Sequence, residues 1–384
     1  MYQKPLNILF LCSWYPNPEA NSNGIFIKRH AQALALKHKV TVLFVKSIHT
    51  VQLAEIQTEE GNLKEILVFY PKSKFNFPFI SSVFKFLKFK SHYKKQINLL
   101  DDTFDIIHVN TIFPAAIPAL YAIKKNPKAK LIITEHWSGY YPEDGNYTGF
   151  LMKYYTQKLV ALANQILVIS DKLKHAMQNH QLNGNYHLIN NVVDTTVFNP
   201  TSESKANEKL EILHVSSLVD REKNISGIIE IAKKLKEKQF SFKLTLIGYN
   251  ENEIGHHKEN AYKFLTRNEI EFVGYKKPNE IAEYMNKSSV FLLFSYFEGM
   301  PVVLLESMAC GLPVITTAVG QVKEMVKPDF GLILKTNNVD ECVEKLCTFN
   351  RSRFATAQVM HNEIALNYGY EEVCKSITKI YLTN

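Results

Sequence analysis

The chain has 384 residues, of which 46% are hydrophobic and 21% charged, and a formal net charge of +8. It is too long for one ordinary core, suits two domains, and has a globular composition with no apolar run near the roughly 18 residues of a membrane span. Its five cysteines, Cys12, Cys310, Cys342, Cys347 and Cys374, include no CxxC pair, which argues against a disulfide framework or a thiolate zinc site and for a reducing cytoplasm.

In chain order, the first apolar run is Ile8–Leu11, inside "LNILFLC". It leads straight into "SWYPNP" without a small-residue cleavage site, so a buried first strand is expected rather than a signal peptide. Further four-to-eight-residue runs rich in Ile, Val, Leu and Phe follow at Val40–Val45, Ile66–Phe69, Ile106–Val109, Leu131–Thr134, Ile166–Ile169 and His187–Ile189. Amphipathic stretches such as "IKRHAQALALKHK" lie between them, a pattern of buried parallel strands alternating with helices. Asn190 to Lys209 is polar, carries Pro200, and reads as a linker. The second half repeats the alternation with Ile212–Val215, Leu244–Ile247, Ile270–Val273, Val290–Phe294 and Val314–Thr316, and ends in an amphipathic "YGYEEVCKSITKIYLT". These twelve strands are too many for one small sheet, so two doubly wound α/β domains in tandem are expected.

The charge is uneven. Residues 1–195 hold 22 Lys+Arg and 13 Asp+Glu, a balance of +9, whereas 196–384 hold 23 and 24, a balance of −1. Segment 72–96 has seven lysines, seven aromatics and no acid. At helical spacing Ile80, Val83, Phe84 and Leu87 share one face, and Lys85, Lys88, His92 and Lys95 another. Such a helix can lie in a lipid interface or pack its apolar face on its own domain. No helix-turn-helix, zinc-finger or RNA-recognition signature supports nucleic acid as the anionic partner.

The densest chemistry lies in "FEGMPVVLLESMACGLPVI", residues 297–315. "VFLLFS" reads as a strand, "YFEGMP" as a turn and "VVLLESMAC" as a helix that is apolar nearly all round and therefore buried. Pro301 suits the first helical position, and Gly311 with Pro313 ends the helix. The amides of Val302 and Val303 can then receive a phosphate. Glu306, one to two turns in, either accepts hydroxyl hydrogen bonds from an attached ribose or emerges at an exposed edge.

Here the chain resembles a known family. "EGMPVVLLE" followed by "SMACGLPVI" is similar to the E-x7-E signature of glycosyltransferase family 4, retaining enzymes of the GT-B fold. "SNGIFIKRHAQALALKHKVTVL", "IIHVN", "IITEHWSGY", "INNVVDTTVFNP", "ILHVSSLVDREKN" and "VGYKKPNEIAEYMNKSSVFLLFSYFEG" match its other motifs in order along nearly the whole chain. The resemblance implies two Rossmann-like domains facing across a cleft, an acceptor-binding one at 1–195 and a donor-binding one at 196–364, with a final helix at 365–384 packing back on the first. It implies that Glu306 holds the ribose and that Glu298 contacts the transferred sugar beside the Gly299 and Met300 amides. Val302 and Val303 would face the phosphates, and Lys223 would grip the diphosphate. Gly24 would let its loop approach the diphosphate closely, His136 would stand near the donor sugar, and Gly274, Tyr275 and Lys276 would line the base. Read without the family, Lys223 is a solvated surface lysine, His136 a hydrogen-bonded structural histidine and Gly24 a turn residue.

Departures from the family pattern fall at the phosphates. Ser217 stands where the family has an arginine, with Arg221 nearby as a candidate substitute. Asn23 and Gln321 each replace a glycine of a usual pair, and Pro301 removes an amide. No D-x-D motif or His/carboxylate cluster is visible, so neither a metal nor another cofactor is expected. The implied reaction is retaining transfer of a sugar from a nucleoside-diphosphate sugar to an acceptor hydroxyl. The expected setting is cell-surface polysaccharide, lipopolysaccharide or glycolipid biosynthesis, by a cytoplasmic enzyme peripheral on the inner face of the membrane through 72–96. A catalytically silent nucleotide-sugar-binding subunit is the alternative, suggested by Ser217. A dinucleotide oxidoreductase is disfavoured, because no G-x-G-x-x-G follows Ile8–Leu11 or Ile212–Val215.

Overall fold

A computed structural model of the chain describes residues 4–21, 23–49, 52–72, 78–100, 103–201, 209–248 and 251–383, with the side chains of 78–83 and 251–252 outside the description. The chain forms two compact units, Met1–Val192 with Tyr370–Asn384, and Val193–Gly369. The first division falls before Val193 rather than after 195, because the Val193 amide donates to Tyr368 O at 2.9 Å within the second unit. The second falls at Gly369 rather than 364, because the helix preceding it runs unbroken to Tyr368.

Unit 1 runs β1 (Asn7–Cys12), α1 (Ile25–Ala35), β2 (Lys39–Ile48), β3 (Ala54–Glu60), β4 (Leu63–Pro71), α2 (Pro78–Leu99), β5 (Ile106–Asn110), α3 (Ile112–Lys125), β6 (Lys130–Glu135), α4 (Phe150–Leu162), β7 (Gln165–Val168), α5 (Asp171–Asn179) and β8 (Tyr186–Leu188). Its sheet has the order β3-β4-β2-β1-β5-β6-β7-β8. All pairs are parallel except β3 with β4. The inner strands are buried on both faces, as their unbroken Ile, Val, Leu and Phe runs require. The edge strand β3, "AEIQTEE", is exposed along its length and has no apolar run to announce it.

Unit 2 runs β9 (Leu210–Val215), α6 (Asp220–Lys223), α7 (Ile225–Glu237), β10 (Phe242–Ile247), α8 (Glu251–Ala261), β11 (Ile270–Val273), α9 (Pro278–Lys287), β12 (Val290–Leu293), α10 (Val302–Ala309), β13 (Val314–Thr317), α11 (Val322–Met325), β14 (Gly331–Leu334), α12 (Val339–Cys347) and α13 (Ala357–Tyr368). Its parallel sheet has the order β11-β10-β9-β12-β13-β14, the doubly wound arrangement. The short "GLIL" of β14 adds a strand to the five expected there. Of the expected linker, residues 202–208 lie outside the described residues.

The last helix, α14 (Tyr370–Leu382), belongs to unit 1. It seals the sheet through side chains rather than apolar contact alone. The Tyr381 hydroxyl meets His108 Nδ1 at 2.6 Å, and Thr378 Oγ1 meets His38 Nε2 at 2.8 Å.

On α2, Tyr93, Gln96 and Ile97 form the buried side, whereas Phe84 and Leu87 stay exposed. His92 does not join the outward basic face, because its ring stacks on Tyr70 with centroids 4.6 Å apart. The expected partners Ile80 and Val83 lie outside the described side chains.

Candidate active site

The expected site residues fall into two sets, one in each unit. In unit 2 the strand order reverses between β9 and β12, so the connections leaving their C-terminal ends diverge. Doubly wound sheets bind ligands at this place. β9 leads through Ser216, Ser217 and Leu218 into the short α6, which ends at Lys223. β12 leads through Ser295 to Glu298.

These two connections meet in an ion pair. Lys223 Nζ donates to Glu298 Oε1 at 2.7 Å, and Ser295 Oγ donates to the same oxygen at 2.7 Å. The Lys223 and Glu298 side chains are only 18% and 9% exposed. Lys223 is therefore no solvated surface lysine. The backbone supports the pair, since the Tyr296 amide donates to Glu222 O at 2.9 Å and ties the β12 connection to α6. Thr317 Oγ1 and Asn337 Nδ2 both donate to Ser295 O, at 2.8 and 3.1 Å, and fix the stretch that carries Glu298. Gly320 packs beneath: a Cβ there would lie 2.3 Å from Gly299 O and 2.4 Å from Glu298 O, and its φ is +57°. Only glycine tolerates both conditions.

Three residues further on, α10 begins. Pro301 is its N-cap rather than its first helical residue, and it offers no capping side chain. Leu304 N is satisfied by Pro301 O at 3.1 Å, which leaves the Val302 and Val303 amides as the first donors of the helix without a partner among the described residues. Gly299 and Met300 precede them on the same turn, with Gly299 O accepting from Gln321 N at 3.0 Å. From Leu304 onward the helix is buried, and Glu306 with it, at 9% exposed. Glu306 thus sits inside the helix's apolar surroundings rather than at an exposed edge.

The remaining donor-side residues are more scattered. Ser217 is half-buried on the β9 connection. Arg221 does not join the pair: its side chain is 83% exposed and meets its neighbour Glu222 at 3.6 Å. Gly274, Tyr275 and Lys276 follow β11, two strands from β9 on the same edge of the sheet, with Tyr275 exposed and Lys276 paired to Glu280 at 2.8 Å. Beside Ser216, His214 is buried between Leu292 O at 2.8 Å and Ser216 Oγ at 2.7 Å, and burial pushes its imidazole down to about 4.

In unit 1 the corresponding reversal lies between β1 and β5. Gly24 caps α1 with φ +68°, and a Cβ on it would lie 2.6 Å from Trp14 C and 2.7 Å from Tyr15 N. Glycine is required here by the fold itself. His136 follows β6. Its ring lies 4.4 Å from Phe26 and 5.6 Å from His30, and its buried Nε2 has no partner among the described residues. Burial first, then the nearby His30 and His108, hold this imidazole well below the usual histidine range, so it is neutral. It is not a hydrogen-bonded structural histidine at Nε2.

Glu135, just before it, escaped the sequence reading. It is fully buried, and four donors converge on it. Oε1 accepts from the His136 and Trp137 amides at 2.8 and 3.0 Å, and Oε2 from the Ile112 amide at 3.0 Å and the Tyr140 hydroxyl at 3.1 Å. Burial raises its carboxyl above the usual range while these four bonds oppose the rise. The carboxylate locks the loop bearing His136 to the start of α3. Just before α3, Thr111, a β-branched residue at φ +58°, is held by its amide donating to Thr134 O at 2.8 Å and its carbonyl accepting from Ser13 Oγ at 2.6 Å. Backbone held this far from its preferred region persists only when surrounded by such bonds, and it clusters at functional sites. The available signal was a carboxylate ending a buried strand in "LIITEH". Among the described residues, no group of three or more His, Cys, Asp or Glu is placed to hold a metal ion.

Comparison with known proteins places the chain. The model of glycosyltransferase family 4 matches residues 24–197, and that of glycosyl transferases group 1 matches 196–363. The chain belongs to glycosyltransferase family 4. Among its relatives, the putative teichuronic acid biosynthesis glycosyltransferase TuaC of Bacillus subtilis is 24% identical over 94% of this chain and 92% of that protein. The putative colanic acid biosynthesis glycosyltransferase WcaL of Escherichia coli is 29% identical over 41% of this chain and only 40% of its own length. The fold is GT-B. Sucrose-phosphate synthase from Thermosynechococcus elongatus superposes with a TM-score of 0.76 over 98% of both chains at 16% identity. Anabaena HepE in complex with UDP and glucose gives 0.69 over 99% of this chain and 100% of that one, at 15% identity.

Proposed function

We propose that this family 4 member transfers a sugar from a nucleoside-diphosphate sugar to an acceptor hydroxyl, with retention of configuration, in cell-surface polysaccharide or glycolipid assembly. The observation that carries this reading is the buried Lys223–Glu298 pair at the β9/β12 reversal, beside the open amides that begin α10. Glu306, one turn further along, binds the ribose. Val302 and Val303 N–H groups bind the phosphates. As the sugar C1–O bond breaks, its electron pair passes to the diphosphate, and Lys223 faces that growing charge. Glu298 orients Lys223 through Oε1 and presents Oε2 to the sugar. Tyr275 and its neighbours border the base. In unit 1, neutral His136, whose buried Nε2 has no partner among the described residues, is a further candidate catalytic group. Charge is neutralised in this scheme by protein groups without a metal. The names of TuaC and WcaL support a polysaccharide product, and the UDP held by HepE supports a uridine nucleotide.

A thermal-shift panel of UDP, GDP and ADP and their sugars tests the donor. A ligand at about 100 times its Kd adds roughly 2.7 kcal/mol of stability. No shift from any of them would overturn the donor assignment. One observation favours a second reading, a nucleotide-sugar-binding subunit without turnover: Ser217 removes a cation and Arg221 faces solvent. Donor binding with no sugar transfer to any glycan or lipid-linked acceptor would select it.

A further inference from the structure

Two helices of unit 1 leave large apolar side chains in solvent. On α4, Phe150, Leu151 and Tyr154 are 81%, 51% and 44% exposed, and on α2 Leu87 is 54% exposed. The helices are neighbours, for the Phe86 and Tyr155 rings approach to 6.1 Å. Phe150 and Tyr154 stack with centroids 6.2 Å apart, and Lys158 Nζ lies 5.5 Å over the Tyr154 ring, so one residue per turn builds a rib along the outward face of α4. The side of α2 that packs on its own unit is the one bearing Tyr93 and Ile97.

The charge carried by these two helices has one sign. α2 and α4 together carry seven lysines and neither Asp nor Glu. Lys85, Lys88, Lys153 and Lys158 are all exposed. Scattered exposed apolar residues are ordinary, whereas a set gathered on two neighbouring helices and rimmed by charge marks a docking surface. Phe, Leu and Tyr interleaved with lysine match the interface of an anionic bilayer, where rings and aliphatic groups enter the headgroup boundary and ammonium groups meet phosphate. No helix among the described residues is long and apolar enough to cross a membrane.

We propose that the outward faces of α2 and α4 form one surface that docks on an anionic lipid bilayer, with Phe150 and Leu151 entering the interface. This inference does not rest on the donor assignment. Flotation of the full chain tests it, with vesicles of phosphatidylcholine alone and of phosphatidylcholine with phosphatidylglycerol, at low and high salt. The parent floats with the anionic vesicles at low salt and not with the neutral ones. Phe150→Ser with Leu151→Ser lowers vesicle affinity about tenfold or more. Each Lys→Gln change at Lys85, Lys88 or Lys153 lowers it about fivefold. All variants keep the parent's Tm, because these side chains are exposed. Failure of the parent to float at low salt would overturn the proposal. So would a Phe150→Ser/Leu151→Ser variant that floats like the parent. So would a single-stranded oligonucleotide, or a second copy of the chain, taking the surface in place of vesicles.

Discussion

Lys223 and Glu298, 75 residues apart, share a hydrogen bond of 2.7 Å in a largely buried setting. Each neutralises the other before any ligand arrives, so neither can be changed alone without leaving a charge in low dielectric. Lys223→Met and Glu298→Gln are each expected to lower kcat about 10²–10³-fold, the usual effect of losing one preorganised group. The double variant should cost much less than the product of the two, because both remove one unit. Sugar-transfer kinetics on all four proteins checks this, and strict multiplicativity would separate the two residues.

Glu306→Gln keeps the shape of the α10 core but removes the charge. Its expected effect is a loss of donor affinity of about tenfold to a hundredfold, that of one charge-assisted hydrogen bond. Titration calorimetry with the nucleoside diphosphate should show it, with most of the loss disappearing for the 2′-deoxy analogue. Equal affinity in parent and variant would remove Glu306 from the ribose.

Glu135 acts through other groups. Glu135→Gln replaces one acceptor oxygen by an amide that faces two N–H or O–H donors, so it leaves buried donors unpaired at about 1–3 kcal/mol each. A lower Tm and a lower kcat are expected, because the carboxylate holds the backbone of the loop bearing His136. His136→Ala is the companion variant. If His136→Ala lowered kcat and Glu135→Gln did not, the loop would not depend on the carboxylate.

Three buried histidines set an acid limit. Burial holds His30 and His214 down to about 4 and His108 to about 3. Their folded values lie below the unfolded one near 6.5, so between these limits the unfolded chain binds more protons. Stability is therefore full above about pH 6.5 and falls as pH drops toward 4, each group removing about 1.4 kcal/mol per pH unit inside its window. Tm should be flat from pH 8 to 7 and decline steeply below 6. A flat profile down to pH 5 would contradict the neutral burial of these rings.

If protein groups alone neutralise the leaving diphosphate, excess EDTA leaves turnover unchanged. A loss restored by magnesium or manganese would assign part of that role to an ion.

The sheets were largely legible because each inner strand is buried on both faces and so reads as an apolar run. β3 was not, since all its side chains are in water and its pairing is set by β4. Pro301 was misplaced by one position, because a proline preceding a helix suits N-cap and N1 almost equally until the backbone is seen. The burial of the α10 helix followed from its being apolar all round, whereas the spacing left Glu306 open between a buried position and an exposed edge until the structure placed it at 9% exposed. The contact of Lys223 with Glu298 did not follow, because it depends on β9 and β12 becoming neighbours across the reversal. Arg221 is a substitute cation by proximity in sequence alone, and α6 turns it outward. Glu135 was hidden by its neighbour: His136 drew notice as chemistry, while the carboxylate acts by holding backbone.

The position of α14 has a consequence for assembly. His108 lies in the middle of unit 1's sheet, yet its Nδ1 partner, Tyr381, is supplied by the last helix. On the ribosome the whole of unit 2 is made before that partner emerges. Unit 1 must therefore wait, with one nitrogen of a buried ring unmatched while the other holds Thr134, until the last turn of α14 is made. The two units are separate as compact bodies but not as folding tasks, and a fragment ending at Val192 would hold every strand of its sheet yet lack the helix that covers it.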